Sequence, residues 1–103
     1  MTLADLESRF PKALRHVECG FSCGAGWYPL MVPVLEACEA AGVEVVQVKN
    51  KFGLLRVYVN EYPPNVDAAI DRAVELSGKT CENCGKPSTR VARGFIQPLC
   101  DAC

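Results

Sequence analysis

Cys81-Glu82-Asn83-Cys84 and, after fifteen intervening residues, Cys100-Asp101-Ala102-Cys103 are the stretches from which the rest of this sequence is read. A C-x-x-C pair offers two thiolates to one ion, and two such pairs at this separation form the ligand set of a structural zinc site. The expected centre is a single Zn2+ held by Cys81, Cys84, Cys100 and Cys103. Gly85, directly after the second thiol, lets the backbone turn so that amide groups face the sulfurs. Arg90 to Gln97 then reads as a short hairpin turning near Gly94, and Leu99 leads into the closing pair.

The chain has 103 residues, of which 50% are hydrophobic. That is enough for one modest core reinforced by a metal, not for two. We therefore expect a body over residues 1–78 with a zinc finger over 79–103 packed on it as one compact unit. Acids stand near the start of the chain, where a secretory signal would be basic. The longest uncharged stretch, Cys19 to Leu35, is too short for a membrane span and contains Pro29 and Pro33. A cytoplasmic protein with reduced thiols and no membrane association is the expectation, and there C-x-x-C pairs mean metal before disulfide.

Formal net charge is −1. Residues 1–78 carry seven Lys/Arg against ten Asp/Glu, whereas 79–103 carry four (Lys79, Lys86, Arg90, Arg93) against two (Glu82, Asp101). Four thiolates around one Zn2+ cancel that local excess, which weakens a nucleic-acid reading based on positive charge.

Working back from the cysteines, Pro63-Pro64-Asn65 is read as the cap of a helix from Val66 to about Leu76. Its stripe is Val66, Ala69, Ile70, Ala73 and Val74, and Gly78 is its exit. Upstream the period is two. Val43 to Val48 and Leu55 to Asn60 read as strands of a hairpin turning at Lys51-Phe52-Gly53, with Gly53 supplying a positive φ. Leu55, Val57 and Val59 are expected to face the helices. Trp27, Leu30, Met31, Val34, Leu35 and Cys38 mark a helix stopped by Gly42, with Pro33 either kinking its first turn or starting its regular part. Thr2 and Asp5 cap a first helix to about Phe10, and Lys12 to Val17 resumes helically after Pro11.

Several residues invite a chemical role. His16, Cys19 and Cys23 suggest a second metal site, but no fourth ligand stands at a recognised spacing; buried thiols are the simpler reading, as for Cys38. Lys49, Lys51, Arg56 and Tyr58 form a basic-aromatic cluster on the outer face of the hairpin, read either as a contact surface for acidic groups or phosphate or as a solvated face that deters edge pairing. Asp67, Asp71 and Glu75 form an i,i+4 acidic row on the third helix, read as facing a basic partner or as a solvated face.

Knuckle, hairpin and closing pair, in this order, resemble a treble-clef finger whose final helix is absent or reduced to a turn. The expected fold class is α+β, with helices packed on a β-hairpin and a C-terminal treble-clef-like zinc finger. Together, Gly26-Trp27, the run Gln47-Val-Lys49-Asn-Lys51-Phe-Gly53-Leu-Leu-Arg56-Val-Tyr58 and the Cys81-x-x-Cys84-Gly85 tail resemble a family of small proteins of bacteriophages and prophage-bearing bacteria. The resemblance implies a phage or bacterial setting and no particular activity. Treble-clef nucleases use a histidine on the hairpin, and the one histidine here, His16, is remote from it in sequence. Thiols sequestered by a metal are unsuited to redox turnover. The expectation is a non-enzymatic protein-interaction module with no small-molecule substrate, acting in the host cytoplasm on a host protein or complex. Inhibition of a bacterial defence complex, as anti-CRISPR proteins do, is one version. A nucleic-acid-binding zinc finger is the alternative.

Overall fold

The computed structural model describes residues 1–17 and 20–103. Its fold is α+β: three helices, two small antiparallel hairpins and a C-terminal cluster of four cysteines. Helix α1 (Leu3–Arg9) opens with a capping box, in which Thr2 Oγ1 accepts from the Asp5 amide at 3.1 Å and Asp5 accepts from the Thr2 amide at 2.8 Å. Satisfying two orphan amides this way sets the start of a short helix. The segment after Pro11 does not resume as a helix. Residues 11–16 form successive turns, with the Lys12 and Ala13 amides capped by the Glu39 carboxylate at 2.9 Å each. A carboxylate reaching in from α2 (Tyr28–Ala41) takes the place of a helical ladder there.

A 3-10 turn (Ala25–Trp27) leads into α2, which carries Pro33 in its interior and ends on Gly42 with φ 70°. Of the two readings Pro33 left open, the helix does not wait for the proline but begins at Tyr28, because Pro33 is near enough to the N-terminus to forfeit only one ladder bond. Its stripe of Met31, Val34, Leu35 and Cys38 is fully buried beside Trp27.

Strands β1 (Val45–Lys51) and β2 (Leu54–Val59) pair antiparallel, with an irregularity between Val45 and Gln47. That bulge lets both Val45 and Val48 face the core, although they are three residues apart. Val43 is buried ahead of the strand and Asn60 lies just past its partner. Leu55, Val57 and Val59 point inward as expected; α3 packs on this strand and α2 packs in turn on α3. Helix α3 (Pro64–Ser77) starts two residues earlier than the sequence suggests, with Pro63 of the expected Pro63-Pro64-Asn65 cap at the cap position and Pro64 in the first turn. At its far end the buried Ser77 hydroxyl accepts from the Leu55 amide at 3.0 Å and donates to the Val74 carbonyl at 2.6 Å, joining α3 to the free edge of β2. The exit at Gly78 is right-handed, with φ −65°. The other edge, along β1, is covered by a parallel bridge from Phe21 to Val48.

Beyond α3, strands β3 (Arg90–Ala92) and β4 (Gln97–Leu99) form the second hairpin, turning through Gly94, and Asp101 and Ala102 form a turn after it. No helix among the described residues is long and apolar enough to cross a membrane.

Candidate metal centre and its clamp

Three local features bring the four thiols together. The Cys81 amide donates to the Lys86 carbonyl at 2.7 Å and the Gly85 amide to the Cys81 carbonyl at 2.9 Å, which closes the knuckle, with Gly85 at φ 83°. The Glu82 amide donates to the Pro98 carbonyl at 3.0 Å, which holds the knuckle against β4 and delivers Cys100 beside it. The turn at Asp101 and Ala102 then returns Cys103, whose amide donates to the Cys100 carbonyl at 3.3 Å.

All four Sγ atoms lie within 4.8 Å of one another, with Cys84 and Cys100 at 3.5 Å, and all four thiols are free. Bonds of about 2.3 Å in a tetrahedron separate sulfurs by roughly 3.8 Å, so these residues can hold one metal ion with little movement. Cys81 and Cys100 are buried, Cys84 and Cys103 exposed. Burial pushes the Cys81 thiol up, but the amides of Cys84, Cys100 and Asn83 outweigh it and bring it down to about 6. Cys103 is pushed up to about 12, first by Cys100 and then by Cys81 and Cys84, because neighbouring sulfurs share protons when no cation neutralises them. A metal ion would replace those protons.

The knuckle is clamped to the body by a residue inside the first C-x-x-C. Glu82 is 2% exposed, and one carboxylate oxygen accepts from the Gly24 amide at 2.8 Å while the other accepts from Asn50 Nδ2 at 2.7 Å. Asn50 also donates to the Ile96 carbonyl at 3.0 Å and accepts from the Gly53 amide at 2.8 Å, so one side chain ties together the first hairpin's turn, the second hairpin and the knuckle. On the far side, Trp27 Nε1 donates to the Thr80 carbonyl at 3.0 Å and the Gly26 amide to the Glu82 carbonyl at 2.7 Å. Glu82, Asn50, Gly24 and Gly26 therefore hold the four candidate ligands in place although none of them belongs to the cysteine set. Sequence reasoning missed them. No local pattern marks them, since a Glu between two cysteines reads as a spacer and an Asn ahead of a turn as a turn residue. Glu82→Gln would aim an N–H at either the Gly24 amide or the Asn50 amide group. We expect it to lower the unfolding free energy by about 1–3 kcal/mol, measured by urea unfolding of the metal-loaded protein.

The remaining candidates are placed as follows. Cys19 lies outside the described residues. His16 Nδ1 pairs with Glu44 at 3.0 Å on the exposed surface, while Cys23 is buried and pushed up to about 12 by burial and then by Glu82. Cys38 is buried in the α2 stripe and pushed up to about 11 by burial and then by Glu39. Protonated, buried thiols are poor ligands and nucleophiles. Lys49 and Arg56 sit directly opposite each other on the outer face of the first hairpin, with Lys49 Nζ 5.8 Å from the Tyr58 ring centre and Lys51 next along the strand. Asp67, Asp71 and Glu75 are exposed on α3, and neither set has an ion-pair partner among the described residues, where His16 and Glu44 form the one pair. Comparison of the chain with protein-family models, with curated proteins and with solved structures finds no match.

Proposed function

We propose that this chain is a zinc-stabilised protein-interaction module. The ion is Zn2+, since four thiolates in two C-x-x-C pairs form a soft, tetrahedral, closed set, and such sites stabilise a fold instead of turning over substrate. The order of knuckle, hairpin and second pair is that of a treble-clef finger with its closing helix reduced to a turn. The observation that carries the interaction reading is a cluster of exposed apolar side chains where the two hairpins meet, with Phe52 77%, Phe95 67% and Ile96 40% exposed. Exposed aromatics gathered on a rigid scaffold are what interfaces are built from. On the phage-family resemblance, the partner is a host protein in the bacterial cytoplasm, a defence complex being one such target. The nucleic-acid alternative draws on the exposed Lys86, Arg90 and Arg93 of the finger together with the hairpin cations.

The test is a pull-down from bacterial lysate with tagged, zinc-loaded protein, beside Cys84→Ser, Phe95→Asp and the triple variant D67K/D71K/E75K. The zinc count comes from native mass spectrometry. We expect one zinc per chain and a specific protein retained by the parent but lost by Cys84→Ser and Phe95→Asp. Zero zinc, or identical captures by all forms, counts against the reading. A mobility shift with DNA or RNA that weakens steeply with salt would favour the alternative.

A further inference from the structure

The end of the molecule where the hairpins meet has features that neither the core nor the clamp uses. The two-residue turn between β1 and β2 places both Phe52 (φ 55°) and Gly53 (φ 88°) in the left-handed region, the pattern of a type I′ turn. Asn or Gly suits that first position, whereas a bulky side chain is a steric outlier there. Phe52 gains little burial in return, being 77% exposed. Neither turn chemistry nor packing accounts for an aromatic at this site.

Phe52 borders a notch of about 310 Å3 whose opposite wall is Phe95 and Ile96 of the second hairpin, with Asn50 and Lys51 between. The Ile96 wall is held in place, because Asn50 bonds the Ile96 carbonyl and a Cβ on Gly53 would come within 2.8 Å of Ile96 Cγ2. Running away from it on the outer face are Lys51, then the cross-strand pair Lys49 and Arg56. Like charges directly opposite on a sheet repel, and no carboxylate among the described residues lies within ion-pair distance of any of the three.

We infer that this end docks an extended acidic segment of a protein partner, which seats one aromatic or aliphatic side chain in the notch between Phe52 and Phe95 and lays carboxylates along Lys51, Lys49 and Arg56. The inference deepens the protein-interaction reading and rests on it. Apolar walls select an apolar side chain, and a row of unpaired cations selects anions. Same-face residues two apart on a strand are separated by about 7 Å, so carboxylates two residues apart in an extended segment match Lys51 and Lys49. Ile96, and Leu54 opposite Lys51, add aliphatic surface to the two rings, a mixed apolar lining that suits a protein side chain.

The experiment is selection of random twelve-residue peptides on the zinc-loaded full chain, beside an anisotropy titration with a twelve-nucleotide thymidine strand. Selected peptides are expected to carry at least two Asp/Glu within a few residues of a Phe, Trp, Leu or Ile, and to bind less tightly as salt rises. For the best peptide, Phe95→Ala, Phe52→Asn and K49E/R56E should each weaken affinity about tenfold or more, the loss typical of a central anchor. Phe52→Asn should at the same time raise Tm by about 5 °C, since Asn accepts the left-handed turn, which separates lost binding from lost structure. Peptides without acids, no enrichment, affinity indifferent to both Phe variants, or tighter binding of the thymidine strand would each overturn the proposal. If a specific protein captured from lysate survives Phe52→Asn and Phe95→Ala but is released by D67K/D71K/E75K, the interaction reading stands and this surface alone falls.

Discussion

Removal of the metal, by a chelator or through Cys81→Ser, is expected to detach residues 79–103 from the body and red-shift the emission of Trp27, the only tryptophan in the sequence. The reason lies in how little apolar burial orders this segment beside the hydrogen bonds of the clamp. Its own buried cluster is Cys81, Leu99 and Cys100 with Ala92 against it, and two of those three are ligands. Burying a leucine is worth about 2 kcal/mol, whereas fixing the backbone costs about 1–2 kcal/mol for each residue. A structural zinc site contributes about 10–16 kcal/mol of apparent binding energy at neutral pH, comparable to the whole stability of a small domain. Trp27 reports the event because its indole N–H donates to the Thr80 carbonyl, one residue before the first ligand, and the ring is fully buried.

Acid should mimic the chelator, because protons compete with the metal for thiolate sulfur. The sign for Cys81 follows from its folded value of about 6 against an ordinary 9.0. A thiol whose pKa is lowered by folding contributes stability that is present above the ordinary value and is lost as pH falls through the lower one. Metal release and the Trp27 shift should appear together as pH falls. The body, with its own core running from Leu6 to Ala73, should keep most of its helical circular dichroism. Retention of both the melting curve and the emission maximum after quantitative removal of metal would show that the finger holds without it.

The parts of this architecture that could be read directly are those with a local cause. A capping box needs only Thr2 and Asp5, helix stripes need a repeat of three to four, and the strands need alternation, so α1, the core face of α2 and of α3, and both strands of the first hairpin follow from neighbouring residues. The candidate metal ligands are legible for the same reason, since each pair sits within four residues. What escaped is tertiary. Glu82 reads as a spacer between two cysteines, yet its carboxylate is buried by partners 32 and 58 residues away. The turns after Pro11 depend on Glu39, which helical periodicity assigns to an outer face. Phe52 at a left-handed position contradicts turn propensity outright, and such a local conflict is where function, not folding, is expected to have chosen the residue.

Gly26→Ala should be among the most damaging single substitutions outside the ligands, although it adds one methyl group to a residue whose φ any amino acid can adopt. A Cβ there would sit 2.3 Å from the Cys81 carbonyl oxygen and 2.6 Å from the Glu82 carbonyl carbon. Both are backbone atoms, one belonging to a metal ligand, and no rotamer change relieves the clash. The Gly26 amide already bonds the Glu82 carbonyl at 2.7 Å, so the two chains are in contact and the methyl must pry the knuckle off its seat. Overpacking of this kind costs about 1–3 kcal/mol and occasionally more, and here the displaced groups include the Glu82 clamp and the Trp27–Thr80 bond. We expect the zinc-loaded variant to melt at least 10 °C lower and to yield its metal to a chelator faster. Gly78→Ala is the matched control, because its nearest neighbour is Leu54 Cδ2 at 3.1 Å, the end of a rotatable side chain, and its φ is −65°, and it should shift Tm by only a few degrees. The mechanism also dictates how the variant combines with metal removal. Once the knuckle is released there is nothing for the Gly26 methyl to strike, so in metal-free protein Gly26→Ala and the parent should unfold alike, a strongly non-additive pair. An equal penalty with and without metal would place the damage in the body instead of the clamp.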